Sequence, residues 1–276
     1  MNRRDFLIAS ALVLASGQMI GDVCVKEYQK GILKEEITKQ RDITFKIYNE
    51  LPKQVYLANH KAKIKTVNGE SSYEEERDGC GVILNDYYLT CAHISDFSET
   101  YVRSMFGTMK VSQNVIETHS EINGHKLESL VSDIENDIAI FSIVPGLPGE
   151  SKLKNFDAEP STNRQLGDEI YVIGNPALTG MNVRKGTISD LDTYKPYKSE
   201  EESICKNCFG IDKGLIGGDS GTPVVNKDGK LIGISAVGFA NALGYVKKIE
   251  EYLKYIKWLI KILMKKDLIE KLKEGT

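Results

Sequence analysis

Three residues of this sequence could carry out nucleophilic chemistry together: His93, Asp137 and Ser220. His93 ends the strand-like run Tyr87-Tyr88-Leu89-Thr90-Cys91-Ala92. Asp137 stands in Glu135-Asn136-Asp137-Ile138-Ala139-Ile140-Phe141. An acid set directly before an alternating apolar strand is expected to be partly buried and to need a partner there. Ser220 lies in Gly217-Gly218-Asp219-Ser220-Gly221-Thr222-Pro223. Glycines on both sides let the backbone turn tightly and present N–H groups beside the hydroxyl. A serine hydroxyl is a poor nucleophile until a base removes its proton, and histidine is tuned for that near neutral pH. The histidine then needs an acid on its other nitrogen, to fix the tautomer and stabilise the imidazolium.

These positions sit in a region, about 53–246, of short apolar runs punctuated by turns. The runs are 81–84, 87–90, 138–144, 170–174, 223–225 and 231–237. Asn85-Asp86, the segment 145–149, Asn175-Pro176 and Asp228-Gly229 separate them, the last being a hairpin signal between two apolar runs. No glycine-rich phosphate loop occurs, and no strand–helix rhythm suggests a parallel sheet. Many short strands at close spacing predict an all-β barrel or sandwich. The segment 145–149 divides the region into halves (53–148 and 149–246), each the size of a six-stranded barrel. His93 and Asp137 would then come from the first half and Ser220 from the second, meeting at a cleft.

With those residues in view, the sequence resembles the chymotrypsin-like serine peptidases, closest to the bacterial HtrA/Deg-like and glutamyl-endopeptidase-like branch. The order His, Asp, Ser is the order of that family. Leu89-Thr90-Cys91-Ala92-His93 is similar to its Leu-Thr-Ala-Ala-His block, and Asn136-Asp137-Ile138-Ala139 to its Asn-Asp-Ile-Ala block. Gly218-Asp219-Ser220-Gly221-Thr222-Pro223 resembles Gly-Asp-Ser-Gly-Gly-Pro, with Thr222 in place of a glycine. Gly174-Asn175-Pro176 and Gly186-Thr187-Ile188-Ser189 resemble a pair of second-barrel motifs. The resemblance covers roughly residues 77–246. It implies two six-stranded antiparallel β-barrels flanked by N-terminal and C-terminal helices. It implies a serine endopeptidase acting through an acyl-enzyme on protein or peptide substrates, with no metal and no organic cofactor. His93, Asp137 and Ser220 would be catalytic, and the N–H groups of Gly218 and Ser220 would form the oxyanion hole. A plain tight turn is the alternative for Gly217-Gly218, and a catalytically silent peptide-binding or envelope scaffold is the alternative function.

The resemblance also implies a specificity pocket between Gly214 and the strand Ala236-Val237-Gly238. Gly214 stands where trypsin-like enzymes place the acid that selects Lys or Arg, so a pocket for a small or medium apolar side chain is expected. Trypsin-type zymogens are activated by a new amino terminus that pairs with the aspartate before the serine. No matching segment precedes the first barrel here, which leaves Asp219 without that partner. Thr222 is expected to affect packing rather than activity.

Outside the barrels the chain reads as helical. Arg3-Arg4, the apolar run from Phe6 and the small residues Ala15-Ser16-Gly17 form an export signal over 1–21, of a twin-arginine-like type. A retained signal-anchor with membrane association is the alternative. Segment 22–52 is read as a surface helix or stalk. Ile249, Tyr252, Leu253, Ile256, Leu259, Ile260 and Leu263 form a helical stripe within 247–276. Its first half is expected to pack on the second barrel. Its continuation would cover the N-terminal helix, form an oligomer contact or lie on a membrane, and it leaves no room for a PDZ domain.

Composition excludes other classes. The net charge is −3, from 36 basic and 39 acidic residues, so there is no footprint for nucleic acid. Five cysteines are too few for a disulfide-built scaffold. Cys80 and Cys91, on the arms of the hairpin leading to His93, could form a disulfide in an exported protein, unpaired buried thiols being the alternative. Cys205 and Cys208 have the spacing of a local disulfide or half a zinc site, and nothing else supports a metal. His60, His119 and His125 are expected at the surface.

Overall fold

Residues 18–66, 71–104, 107–145, 152–191, 207–239 and 243–274 are described in a computed structural model. Two units divide the chain, 1–45 and 46–276. The described part of the first, from residue 18, is a helix, α1 (Gln18–Phe45). Ile32, Leu33 and Ile37 are exposed along it, and the Thr38 and Thr44 hydroxyls donate back to the carbonyls of Lys34 and Gln40. Residues 1–17, which hold most of the expected export signal, lie outside the described residues. Among the described residues no helix is long and apolar enough to cross a membrane.

The second unit begins with a π-helical turn (Lys46–Glu50) and a 3-10 turn (Leu51–Gln54), then β1 (Val55–Lys65). β1 pairs with β2 (Ser72–Leu84) over its whole length, from Val55 opposite Val82 to Lys65 opposite Ser72. Asn85 (φ 51°) and Asp86 (φ 66°) then reverse the chain into β3 (Tyr87–Thr90). Two successive positive φ values are what a tight hairpin needs, and Asn and Asp tolerate them better than branched residues do. After β3 comes a single helical turn, α2 (Ala92–Ser95). A separate hairpin of β4 (Glu99–Ser104) and β5 (Gly107–Ser112) follows. β6 (Asn114–Ile122), β7 (His125–Asp133) and β8 (Ile138–Ile143) complete a closed barrel in the order β1-β2-β3-β8-β7-β6.

The second barrel is closed in the order β10-β11-β14-β13-β12-β9. Its strands are β9 (Glu169–Gly174), β10 (Asn182–Asp190), β11 (Cys208–Ile211), β12 (Pro223–Asn226), β13 (Leu231–Phe239) and β14 (Leu243–Lys248). The Asp228-Gly229 hairpin is present, with Gly229 at φ 71° and the Asn226 side chain accepting from the Asp228 and Lys230 N–H groups. Register shifts at Ser129/Val131 and Ser235/Val237 supply local bends of the kind that help strands curl and close. The two interiors are separate: Ile83, Tyr88, Ile122 and Phe141 fill one, and Val172, Phe209, Ile232 and Val246 the other. The expected pair of six-stranded antiparallel barrels with a helix at each end is therefore the fold.

The C-terminal helix α3 (Ile249–Glu274) buries Ile249, Tyr252, Ile256 and Leu259, the spacing of one helical face. It does more than pack on the second barrel. The Tyr252 hydroxyl donates to the Thr90 carbonyl at 3.0 Å and the Tyr255 hydroxyl to an Asp133 carboxylate oxygen, both in the first barrel. Glu250 in its first turn pairs with Arg164.

Two expectations are corrected. Cys80 and Cys91 are free buried thiols rather than a disulfide. The Cys91 thiol faces across the barrel junction and donates to the Ser235 carbonyl at 3.0 Å. The Cys80 thiol is pushed up to about 12 by burial and by the nearby Asp219 charge, so it stays protonated. Cys205 lies outside the described residues, so its pairing with Cys208, which is buried in β11, lies outside them too. His60 and His125 are buried rather than at the surface, because their strand positions face the first barrel's interior; His119 is exposed. His60 Nδ1 lies 2.8 Å from the Ser120 hydroxyl.

Candidate active site

His93 is held by the turn that follows β3. The Asp96 N–H closes α2 on the Ala92 carbonyl at 2.7 Å. Arg77 of β2 then donates to the carbonyls of His93 (2.9 Å) and Asp96 (2.8 Å) while its guanidinium stacks over Phe97. Sequence reasoning missed Arg77, since one arginine in the run Glu74-Glu75-Glu76-Arg77 carries no signal.

Asp137 occupies the last position of the turn before β8, at φ 53°. A left-handed aspartate is uncommon, and this one is fixed from both sides. Asn136 donates its backbone and side-chain N–H groups to the Asp133 carboxylate, at 2.9 and 2.7 Å. The Asp137 carboxylate is fully buried and accepts the His93 backbone N–H at 2.9 Å. Its two oxygens lie 2.9 and 3.0 Å from His93 Nδ1. An ionised carboxylate only accepts, so Nδ1 carries the proton and Nε2 is left as an acceptor. His93 Nε2 lies 3.0 Å from Ser220 Oγ. Burial pushes the His93 pKa down, but the charge and hydrogen bond of Asp137 push it up further, against a smaller opposing effect of Arg77. The net shift is upward from 6.5. The three residues named from the sequence therefore meet, His93 and Asp137 from the first barrel and Ser220 from the second.

The segment before Ser220 is a tight turn. The Asp219 N–H donates to the Ile216 carbonyl and the Ile216 N–H returns to the Asp219 carboxylate, both at 2.9 Å. The Gly174-Asn175-Pro176 motif supports this turn: the Ala177 N–H donates to the Gly217 carbonyl at 2.6 Å. Gly218 (φ 91°) lies so close to that support that a Cβ would fall 2.4 Å from the Asn175 carbonyl oxygen. Among the described residues the N–H groups of Gly218 and Ser220 have no acceptor. Two such free donors beside a nucleophile are suited to a developing oxyanion. On the other side of Ser220, Gly221 (φ 83°) abuts β2, and the Cys80 N–H donates to the Ser220 carbonyl at 2.9 Å. Thr222 is buried, with its hydroxyl donating to the Asp219 carbonyl at 2.8 Å and lying 3.0 Å from Ser235 Oγ.

Of the residues expected to line a pocket, Ala236 presents its carbonyl 3.5 Å from Ser220 Oγ. The Gly214 carbonyl accepts from Arg184 at 3.2 Å. Gly238 lies against the Leu215 backbone, where a Cβ would meet the Leu215 oxygen at 1.7 Å. The Leu215 side chain is buried and turned toward Gly244, whose Cβ would lie 2.6 Å from Leu215 Cγ. Val237 is half-buried on the same strand.

Among the described residues the one group of potential metal ligands is Cys91, His93 and Asp137. It suits a metal poorly. Burial and the Asp137 charge push the Cys91 thiol well up, so no thiolate is at hand, and His93 Nδ1 is already committed to Asp137.

A family model described as a trypsin-like peptidase domain matches residues 79–234. A protein of Staphylococcus epidermidis named "Serine protease HtrA-like" is 25% identical over 245 residues, covering 82% of this chain and 38% of its own length. A Staphylococcus aureus protein of the same name is 28% identical over 195 residues, covering 69% of this chain and 22% of its own length. The chain thus spans well under half the length of these relatives.

Proposed function

The chain belongs to the trypsin-like peptidase family, and from that premise we propose that it is a serine endopeptidase whose catalytic residues are His93, Asp137 and Ser220. The observation that carries this reading is the unbroken line from a buried carboxylate through the imidazole to the hydroxyl, with Nε2 3.0 Å from Ser220 Oγ. His93 Nε2 takes the hydroxyl proton as Ser220 Oγ attacks the scissile carbonyl carbon. Asp137 holds the Nδ1–H tautomer and stabilises the imidazolium that forms. The carbonyl oxygen, now negative, is received by the N–H groups of Gly218 and Ser220. His93 returns the proton to the leaving amine, and a water activated by the same base then releases the acyl group.

In this reading the pocket takes a small or medium apolar side chain of the substrate. Leu215 and the close approach of its backbone to Gly238 fill space that a long side chain would need. The site works outside the cytoplasm, a proposal that rests on the basic-then-apolar start of the sequence. Fractionating the producing cells and sequencing the amino terminus tests it: a chain found only in the cytoplasm with Met1 intact sinks it.

The experiment that tests the activity is labelling of the folded protein by a fluorophosphonate probe, with Ser220→Ala as control. Labelling lost in that variant is expected. A folded wild-type chain that stays unlabelled and cleaves no peptide in a mixed library refutes the reading.

A further inference from the structure

Asp219 has a partner that the sequence did not announce. Its carboxylate is 1% exposed, and a charge buried to that degree is costly unless it is paired and hydrogen-bonded. One oxygen meets Arg184 Nη2 at 2.5 Å and the other accepts the Ile216 N–H at 2.9 Å. Arg184 Nη1 reaches the Gly214 carbonyl at 3.2 Å. A single guanidinium therefore grips both ends of the segment 214–219, and Gly218 lies within that grip. Arg184 stands on β10, opposite Val172 of β9, so the grip is mounted on the barrel wall and not on a loop.

We propose that Arg184 is a positioning residue that holds the segment 214–219 in the conformation that aims the Gly218 N–H at the oxyanion. The inference rests on the peptidase reading above for its catalytic consequence, but not for its structural one. Without the guanidinium the Asp219 carboxylate must either stay buried and unpaired or turn outward to water. Turning outward breaks the bond from the Ile216 N–H and frees the turn 216–219, so that the peptide between Gly217 and Gly218 can rotate and withdraw the Gly218 N–H. Loss of one oxyanion donor typically costs roughly 100- to 1,000-fold in turnover.

The test uses the full chain with Arg184→Met, Arg184→Lys and the double variant Arg184→Met/Asp219→Asn, which removes both charges and remains usable if the single variant fails to fold. Hydrogen exchange is followed for the peptide covering 214–221 and for the barrel strands, beside kcat and KM on a peptide substrate. Arg184→Met should speed exchange in 214–221 alone and lower kcat about 100-fold or more, with KM within a few-fold. The double variant should fold, with the same loosened segment and the same loss in kcat. Arg184→Lys should recover part of kcat at neutral pH and lose it again above the lysine's own range near pH 10. Reduced thermal stability with kcat, KM and exchange of 214–221 all unchanged would mean a merely structural ion pair and would overturn the proposal. If the wild type proves inactive, the peptidase reading falls, while unchanged exchange in the variants still overturns the grip and faster exchange still supports it.

Discussion

Gly221→Ala tests how the two barrels present the nucleophile. An added Cβ would stand 1.8 Å from the Cys80 carbonyl oxygen and 2.5 Å from Thr90 Oγ1. Ordinary contact begins at about 3.5 Å, so the two backbones must part by on the order of 1.5 Å. Neither side yields easily. The Cys80 carbonyl is pinned by the Thr90 hydroxyl at 2.7 Å, and the Gly221 N–H is bonded to the Ser235 carbonyl at 2.8 Å. The displacement therefore falls on the junction between barrels, where the Cys80 N–H reaches the Ser220 carbonyl at 2.9 Å. His93 belongs to the same barrel as Cys80, so moving Ser220 away from β2 also lengthens its 3.0 Å contact with Nε2. A shift of about 1 Å at reacting atoms can cost 100-fold, and that is the least loss expected in kcat/KM. Stability should fall by roughly 1–3 kcal/mol, from the left-handed alanine (φ 83°) and one lost hydrogen bond. The assay pairs the fluorophosphonate labelling rate with thermal unfolding. A folded variant that labels within about threefold of wild type would show that Gly221 does not set the approach of the barrels, and the reasoning would fail.

Four further outcomes are expected. Because His93 acts as a base when neutral and its pKa is raised above 6.5, kcat/KM should climb with pH to a midpoint above that value. Asp137→Asn removes the upward influences and leaves burial and Arg77, so the midpoint should drop below 6.5 while kcat falls about 10⁴-fold, read from pH–rate profiles. Leu215→Ala should shift preference at the cleaved residue toward longer apolar side chains by tenfold or more in kcat/KM across a peptide series, at a cost of about 2–5 kcal/mol in stability; an unchanged preference would remove Leu215 from the pocket. Burial, with a contribution from Arg77, lowers His60 to about 4, so the unfolded chain takes up a proton from pH 6.5 downward that the folded chain resists until about 4. Stability should therefore decline as pH falls through that window, by roughly 3 kcal/mol, and His60→Asn should flatten the decline in denaturant titrations.

What the sequence disclosed follows burial. β3, β8, β9, β12 and β13 coincide closely with apolar runs because most of their residues face one core or the other. β1 escaped notice, although it alternates strictly over much of its length. Its inward positions include Ala58, His60 and Ala62, small or polar, and lysines occupy the outward ones. The first half of β2 and most of β6 are exposed and polar, and they are strands because they pair with β1 rather than because of their own composition. The site divides in the same way. His93, Asp137 and Ser220 were legible because each stands in a short local pattern. Arg77 and Arg184 were not, because each acts on a segment far along the chain through a contact that only the closed barrels create.

That division bears on why the three central residues can be drawn from two barrels and still meet within hydrogen-bond distance. Two separate cores leave their mutual placement to the groups between them, and those groups are specific rather than merely apolar. The Cys80 N–H reaches Ser220, the Cys91 thiol reaches Ser235, and Tyr252 of the C-terminal helix reaches Thr90. Each tie joins a residue within three positions of His93, or on the strand paired to it, to the second barrel or to the helix packed on it. Tyr255 adds a hold on Asp133, which in turn fixes the turn carrying Asp137. A hydrogen bond contributes only about 1 kcal/mol to stability, so none of these ties is needed to keep either barrel folded. Their value is directional: they set the register between one barrel's base and the other's nucleophile. The free thiol of Cys91 belongs to this set, since a disulfide to Cys80 would remove its S–H and with it a tie across the junction.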